Sequence, residues 1–208
     1  MGAIVRAVRP HVSGVLVVIN GCSDDTEARA LEAGAEIIYS EAGYARALAA
    51  GLRHLRGRCV VQLDADGQHP PEAIPALIGA LNRADIAVGS RLCGRERSAL
   101  TPARRAGIAA LSGLARAVSG LQVRDVTSGF RALSPQAVAI YAEDFPDRVA
   151  DANTLVRAHR AGLRVVEVPV RMAERSGGES MHAGFAGLRY FGRALVETAA
   201  EGLRRPAG

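Results

Sequence analysis

The sequence contains no lysine and no tryptophan, so its 26 basic side chains are all arginines. The absence of lysine excludes a P-loop lysine and catalysis through a Schiff base. The net charge of +5 is compatible with phosphorylated substrates, an anionic membrane surface or nucleic acid, and arginine suits phosphate because it can bind it with two hydrogen bonds. Aromatic residues make up only 4% of the chain, which argues against nucleic acid because few side chains could stack on bases.

Cysteine and long apolar runs are also scarce. Cys22, Cys59 and Cys93 are odd in number and lack the spacing of a metal site, which predicts reduced thiols in the cytosol. No apolar run reaches the roughly 18 residues of a membrane span, and no signal peptide is recognised. We therefore expect a soluble cytoplasmic protein, or one bound peripherally at the inner face of the plasma membrane.

The most informative stretch is 58–72, RCVVQLDADGQHPPE, where an apolar run ends in carboxylates. Its β-branched residues predict a strand buried on both faces. The two-residue period of a strand points Asp64 and Asp66 to the same side, and Gly67 permits a sharp turn. Such a pair occurs in polar turns and on solvated surfaces, and it also suits Mg²⁺ or Mn²⁺. The end of a buried strand favours the metal site, because open α/β sheets bind their ligands there.

Strands and helices alternate along the chain with short connections. We predict strands at 15–19, 35–39, 58–63, 85–89 and 164–169, and helices at 2–8, 44–55, 71–82, 151–162 and 185–203, with further helices after 26 and from 102. This order predicts an α/β fold, a single domain over 1–208 with a mostly parallel sheet flanked by helices. Apolar residues at helical spacing indicate that the last helix packs on the core or lies on an anionic membrane surface: Leu188, Phe191, Leu195 and Ala199.

The stretch DADGQHPPE resembles the metal-binding segment of family 2 glycosyltransferases, in particular the branch of dolichol-phosphate mannose synthase and bacterial polyprenyl-phosphate glycosyltransferases. Further similar segments cover nearly the whole chain: NGCSDDT at 20–26, GYARALAAG at 43–51, GSR at 89–91, DVTSGFR at 125–131 and RMAERSGGES at 171–180. The resemblance implies the GT-A fold, a Rossmann-like fold of nucleotide-diphospho-sugar transferases. It also implies that Asp64, Asp66 and Gln68 hold Mg²⁺ or Mn²⁺.

The resemblance places the donor, a nucleoside-diphosphate sugar, near several further residues. Asn20 lies where the family contacts the nucleotide, whereas Ile19 replaces a family aspartate and cannot supply a polar contact. Arg91 is expected to bind phosphate. Arg175 and Ser180 belong to a glycine-containing loop, 171–182, that is expected to close over the phosphates together with His182.

The resemblance places the acceptor near the second cluster, 125–131. Asp125 and Arg131 are expected to line the acceptor pocket, with Arg104 or Arg105 close by. Asp151 lies two residues before Asn153, which stands where the family has an acid. Asp151 is therefore a catalytic candidate, although a helix N-cap is an equally good explanation of it.

One acidic residue is expected to have no catalytic role, and one segment of the family is missing from this sequence. Glu167 stands among apolar neighbours, which indicates a structural pairing rather than chemistry. The family's first strand, which carries a Pro-x-Tyr-Asn-Glu-Glu-like segment that holds the nucleotide, has no counterpart, and Met1 corresponds to the helix after it. Either the natural start lies upstream or part of the donor site has been lost.

The implied reaction transfers a hexose, with inversion, from the nucleoside-diphosphate sugar to an acceptor. A polyprenyl phosphate is largely anionic at neutral pH, because its second pKa is about 6, and needs no strong base. A glycan hydroxyl would need Asp125 or Asp151 as the base. The alternative is a degenerate, non-catalytic domain that binds nucleotide sugars or a partner. A nucleotidyltransferase is disfavoured because the chain lacks a glycine-rich nucleotide loop near its start and a catalytic lysine.

Overall fold

The computed structural model describes residues 1–21, 24–94, 100–146, 148–173 and 184–204, without the side chains of 184–186 and 188. Its helices are α1 (Gly2–Val8), α2 (Thr26–Glu32), α3 (Tyr44–His54), α4 (Ile74–Ala80), α5 (Pro102–Ser119), α6 (Pro135–Glu143), α7 (Ala152–Arg160) and α8 (Gly184–Leu203). Its strands are β1 (Leu16–Ile19), β2 (Glu36–Tyr39), β3 (Val60–Gln62), β4 (Ile86–Ser90), β5 (Arg131–Leu133) and β6 (Val165–Pro169). Short 3₁₀ turns at Arg9–His11 and Pro71–Ala73 precede β1 and α4.

The predicted alternation of strands and helices is confirmed, and most element boundaries agree within two residues. The predicted helix at 71–82 is shorter, because it begins as the 3₁₀ turn and its α-helical part ends at Ala80. Cys59, predicted to lie within a buried strand, is exposed and precedes β3. β5 and α6 were not predicted. β5 has only 3 residues, which is too little sequence for a two-residue period to be visible.

The strands form two hydrogen-bonded sheets. β1 and β2 pair in parallel, and the larger sheet has the order β3-β5-β4-β6. β5 runs antiparallel to both β3 and β4, whereas β4 and β6 are parallel. The α/β prediction is therefore confirmed, but the larger sheet is mixed because the unpredicted strand β5 is inserted between the two strands that carry the most conspicuous motifs.

Helices cover both faces of the larger sheet. Along β4, Ile86 and Val88 pack in a cluster with residues of α3, α5, α6 and α7, while Ala87 points to the opposite face. On that opposite face, Ile74 and Leu77 of α4 are fully buried. The buried faces fix the positions of the strand ends, from which the candidate site residues project.

The last helix, α8, packs against the core, as one of the two predictions for it states. Ala194 and Thr198 are buried, and Glu201 accepts two hydrogen bonds from Arg157 of α7, at 2.9 and 2.8 Å. Phe191 and Leu195 are only partly buried against the core. Within the described part of the chain, no helix is both long and apolar enough to cross a membrane.

Candidate active site

The carboxyl ends of β1, β3 and β4 meet at one cavity of about 760 Å³. Its polar part is lined by Asn20 after β1, by Asp64, Asp66 and Gln68 after β3, and by Arg91 after β4. Asp151, just before α7, and Tyr190 of α8 border the same space. The structure thus brings together the predicted metal ligands, one predicted nucleotide contact and one of the two candidate bases.

Asp64 is held in position by hydrogen bonds to its carboxylate and to its backbone. The Tyr44 hydroxyl, at the start of α3, donates to Asp64 Oδ1 at 2.9 Å. The backbone N–H of Asp64 donates to His69 Nδ1 at 2.9 Å. Burial and the neighbouring Asp64 charge raise the pKa of Tyr44, so its hydroxyl remains a donor throughout the physiological range. The carboxylate is therefore oriented before any ligand binds.

His69 is a positioning residue that the sequence did not reveal. Because its Nδ1 accepts a backbone N–H, the imidazole must be neutral with its proton on Nε2, which lies 3.8 Å from Asp64 Oδ2. The ring is buried and stacks on Phe130, with 4.9 Å between ring centroids. Burial lowers the pKa of His69 and outweighs the opposing effect of Asp64 and Asp66. Its position five residues after Asp64 gave no signal of this contact.

Gly129 leaves the room that the Asp64 carboxylate occupies. A Cβ added at Gly129 would lie 3.0 Å from Asp64 Oδ2 and 3.0 Å from the Tyr44 hydroxyl oxygen, closer than ordinary van der Waals contact. The DVTSGFR segment therefore contributes to the site through its backbone, because the missing Cβ of Gly129 leaves space for the carboxylate in this position.

Asp66 and Gln68 form the turn that follows Asp64. The Gln68 N–H donates to Asp66 Oδ1 at 3.0 Å, and Gly67 between them adopts a positive φ of 74°. The Gln68 side-chain amide donates to the carbonyl of Ala173 at 3.3 Å, which ties the turn to the segment after β6. This arrangement leaves the Gln68 side-chain oxygen as a ligand of the type that hard cations take.

The donor set fits a divalent ion that completes its coordination with oxygens from a ligand. Among the described residues, no group of three or more histidine, cysteine, aspartate and glutamate side chains could enclose a metal. Mg²⁺ commonly binds through one or two carboxylates plus substrate phosphates and water, and Asp64 with Asp66 supplies such a pair. The residues thus suit a metal that binds together with a diphosphate.

Arg91 and Asp125 form a buried ion pair, in which Arg91 also borders the cavity and Asp125 does not. Arg91 donates from Nε to Asp125 Oδ2 and from Nη2 to Oδ1, each at 2.7 Å, and its backbone N–H also donates to Oδ2. Burial alone would lower the pKa of Arg91, but the hydrogen bonds and charge of Asp125 raise it overall. Asp125 has no exposed surface and does not line the cavity, so it is not placed to act as a base.

Glu167 supports this pair from β6. Its carboxylate accepts the backbone N–H groups of Arg124 and Asp125 at 3.0 and 3.1 Å. The prediction of a structural pairing for Glu167 is confirmed.

Arg131 likewise holds the protein together instead of lining the acceptor pocket. Its exposure is only 2%, and it donates to the Thr154 hydroxyl at 2.7 Å and to the carbonyls of Ser128, Val126 and Asp151. Four hydrogen bonds to protein atoms engage the guanidinium, and Arg131 does not border the cavity. The expectation that it contacts the acceptor does not fit this position.

Asp151 precedes the first residue of α7, yet its side chain makes no capping hydrogen bond. It borders the cavity beside Tyr190, whose pKa is raised by burial and then by the Asp151 carboxylate. Asn153 is buried, accepts the backbone N–H of Asp151 and donates to the Val149 carbonyl. Asn153 therefore holds the segment 149–151 in place, and the carboxylate at the cavity is that of Asp151.

The remaining predicted residues are two arginines of α5 and three residues between β6 and α8. Arg104 borders the cavity, whereas Arg105 does not. Arg175, Ser180 and His182 lie outside the described residues. Tyr44, His69 and Tyr190 join the site without having been predicted. Tyr44 and His69 lie within segments that resemble the family, but no role was assigned to either side chain, and Tyr190 lies outside those segments.

Comparison with known proteins relates this geometry to a family. Residues 14–138 match the family model described as Glycosyl transferase family 2. The undecaprenyl-phosphate mannosyltransferase of Micrococcus luteus is 34% identical over 129 residues, which cover 60% of this chain and 53% of that protein. The dolichyl-phosphate hexose transferase of Haloferax volcanii is 29% identical, and the match covers 89% of this chain and 81% of that protein. The polyprenol monophosphomannose synthase of Mycolicibacterium smegmatis is 33% identical, and the match covers 82% of this chain and 70% of that protein.

Solved structures share the fold. A mycobacterial protein superimposes with a TM-score of 0.75 at 22% identity, over 100% of this chain and 71% of that one. Glucosyl-3-phosphoglycerate synthase of Mycobacterium tuberculosis, crystallised with Mn²⁺ and uridine-diphosphate-glucose, superimposes with a TM-score of 0.71 at 19% identity, over 100% and 75%. These structures confirm the predicted fold class, and the match over 14–138 shows that the chain belongs to glycosyl transferase family 2.

Proposed function

We propose that the protein transfers a hexose from a nucleoside-diphosphate sugar to a polyprenyl phosphate, with inversion and with the help of Mg²⁺ or Mn²⁺. The observation that carries this proposal is the orientation of Asp64 beside Asp66 and Gln68 on the wall of a large cavity. Two of the relatives are named as sugar transferases of undecaprenyl phosphate and dolichyl phosphate, and the third as a polyprenol monophosphomannose synthase, which supports the acceptor class. The neighbour crystallised with Mn²⁺ and a uridine-diphosphate sugar supports the metal and the donor.

Each side chain around Asp64 has a part in the proposed reaction. Tyr44 and His69 hold Asp64 so that no reorganisation is needed when the donor binds, which is the condition for effective electrostatic stabilisation. A divalent ion bound by Asp64, Asp66 and Gln68 would offset the charge that develops on the leaving diphosphate. Arg91, fixed by Asp125, borders the same space and contributes positive charge there.

The acceptor determines what Asp151 must do. A phosphate monoester is already an anion near neutral pH, so it can attack without a base. Arg104, at the cavity wall, would orient this anion. The family resemblance assigns the same role to Arg175. Since Asp125 is enclosed, Asp151 is the candidate base for a hydroxyl acceptor. Replacing Asp151 with asparagine therefore distinguishes the two acceptor classes.

A non-catalytic domain that binds nucleotide sugars or a partner remains the second candidate. Ile19, where the family has an aspartate, is buried with 7% exposure and offers no polar group to a nucleotide. Such a domain would bind the nucleotide without transferring sugar.

The first test measures thermal stabilisation by GDP and UDP, each with and without Mn²⁺, together with sugar transfer from a labelled donor to undecaprenyl phosphate. A nucleotide at about 100 times its Kd stabilises the folded state by about 2.7 kcal/mol, or roughly 5–10 °C in Tm for a chain of this length. Asp66→Asn should abolish the part of the nucleotide's thermal stabilisation that depends on Mn²⁺. The exposed Glu72→Gln variant, six residues away, should retain it.

The outcomes separate the candidates. Metal-dependent stabilisation with sugar transfer supports the proposal. Stabilisation without transfer to either a lipid phosphate or a glycan supports the non-catalytic domain. Stabilisation that persists in Asp66→Asn would show that the carboxylates do not hold the metal.

A further inference from the structure

Helices α7 and α8 pack side by side and are joined by polar contacts at both ends. Near their carboxyl ends, Glu201 of α8 accepts two hydrogen bonds from Arg157 of α7. At their amino ends, Tyr190 of α8 meets Asp151, the residue that precedes α7. The two helices therefore run in the same direction, and the contact at their amino ends lies at the cavity, which Tyr190 and Asp151 both border.

The contact at the amino ends is a hydrogen bond between the Tyr190 hydroxyl and the Asp151 carboxylate. Burial raises the pKa of Tyr190, and the charge of Asp151 and this hydrogen bond raise it further. The phenol therefore keeps its proton at neutral pH. Since an ionised carboxylate can only accept hydrogen bonds, Tyr190 is the donor and Asp151 the acceptor.

Core packing fixes the position of the Tyr190 ring. The ring is half-buried against the cluster that contains residues of α3, α5, α6 and α7. The next residue, Phe191, lies over Gly107 of α5, where an added Cβ would be 3.5 Å from Phe191 Cε2. Because this packing restrains α8 at Tyr190, the position of the hydroxyl is set by the core, and the hydroxyl in turn orients the Asp151 carboxylate.

Two of the carboxylates at the cavity are thus each held by a tyrosine. Tyr44 donates to Asp64, the expected metal ligand, and Tyr190 donates to Asp151. The two pairs are neighbours, because the Asp151 charge helps to raise the pKa of Tyr44, and Tyr44 helps to raise the pKa of Tyr190. The negative charge of Asp151 therefore lies near the part of the cavity where the metal and the diphosphate are expected.

This position of Asp151 matters for a phosphate acceptor. A phosphate monoester carries a charge of about −1.5 to −2 at neutral pH, and a nearby carboxylate repels it. A hydroxyl that donates to the carboxylate reduces this repulsion, because it stabilises the negative charge and stops the side chain from turning toward the acceptor. Tyr190 is placed to do both.

We propose that Tyr190 is a positioning residue, whose hydroxyl holds the Asp151 carboxylate so that the site admits an anionic acceptor. The inference rests on the proposed transfer to a lipid phosphate, and it gives α8 a part in selecting that acceptor. Tyr190 acts through Asp151, so its effect on acceptor binding depends on the charge of Asp151.

The test measures the Kd of farnesyl phosphate by titration calorimetry, with and without Mn²⁺ and UDP, and uses farnesol as the uncharged ligand. Tyr190→Phe removes the hydroxyl and keeps the ring, Asp151→Asn removes the charge, and a double variant removes both. Tyr39→Phe is the matched control. Tyr39 is exposed, and its hydroxyl donates to the Glu27 carboxylate at 2.5 Å, away from the cavity lining.

Tyr190→Phe should weaken the binding of farnesyl phosphate by about tenfold, the order expected when a hydrogen bond to a charged group is lost. Farnesol binding should be unchanged, and Tyr39→Phe should bind both ligands as the wild type does. Adding Asp151→Asn to Tyr190→Phe should restore the affinity for farnesyl phosphate, because the charge that Tyr190 restrains is then absent. A hydroxyl with a merely structural role would not show this rescue.

The proposal is overturned if the double variant binds farnesyl phosphate as weakly as Tyr190→Phe, or if Tyr190→Phe binds it as tightly as the wild type. It is also overturned if the wild-type chain does not bind farnesyl phosphate.

Transfer assays separate this inference from the proposed activity. In these assays, Tyr190→Phe should raise the KM for undecaprenyl phosphate by about tenfold and leave kcat nearly unchanged. If the binding pattern is found but the wild-type chain transfers no sugar, the role of Tyr190 is supported and the proposed activity is refuted. If sugar is transferred and the rescue by Asp151→Asn is missing, the activity stands and the role of Tyr190 is refuted.

Discussion

Removing the Asp125 carboxylate should destabilise the protein strongly, because it would leave Arg91 buried without its counter-charge. Asp125 is fully buried and accepts three hydrogen bonds from Arg91 and one from the Thr127 hydroxyl. Arg91 itself is only 9% exposed. Breaking a buried pair by removing one partner costs about 3–5 kcal/mol. For a chain of this length we expect Asp125→Ala to lower Tm by roughly 6–20 °C.

Urea unfolding followed by circular dichroism measures this loss, and a double-mutant cycle assigns it to the pair. Arg91→Met combined with Asp125→Leu should cost less than the sum of the two single changes, by about 1–3 kcal/mol. The matched control is Asp25→Ala, which removes an exposed carboxylate that pairs with Arg29 four residues later. Its cost should be only about 0.3–0.5 kcal/mol.

The reasoning is refuted if Asp125→Ala loses less than about 1 kcal/mol while sugar transfer disappears. Asp125 would then act on the substrate, as the sequence alone suggested, and the buried ion pair would be incidental to its role.

Three further predictions concern residues with other roles. Asp151→Asn should leave Tm unchanged and reduce transfer to a polyprenyl phosphate less than about tenfold, whereas a loss of about 100-fold or more would identify Asp151 as a base for a hydroxyl acceptor. Gly129→Ala should displace Asp64 and weaken Mn²⁺-dependent nucleotide binding by about tenfold, as titration calorimetry would show; unchanged affinity would mean that the carboxylate adjusts freely. Glu201→Ala should remove the hydrogen bonds from Arg157 that join α7 and α8 and cost about 1.5–3 kcal/mol in urea unfolding, and a smaller loss would show that α8 docks without this pair.

The sequence by itself predicted most of the fold, because the residue patterns that indicate each helix and strand lie within short stretches of the chain. Alternating apolar and helical segments predict the order of elements, and the Asp64-x-Asp66 pair follows a strand whose geometry places both carboxylates on one side. The DVTSGFR segment was recognised through its resemblance to the family, and Glu167 was identified as a structural partner from its apolar neighbours in the sequence. These features are encoded within a few residues of one another, so the chain displays them without its tertiary structure.

Tertiary structure decided which of the charged residues face the ligand. Asp125 and Arg131 are charged residues as Asp151 is, but both are buried and bonded within the protein, whereas Asp151 and Arg91 border the cavity. His69 gains its role from the backbone of Asp64 and the ring of Phe130, contacts that sequence spacing does not specify. The position of β5 between β3 and β4 also depends on strands that are distant in sequence, because pairing between strands is set by the packing of the whole sheet and not by either strand alone.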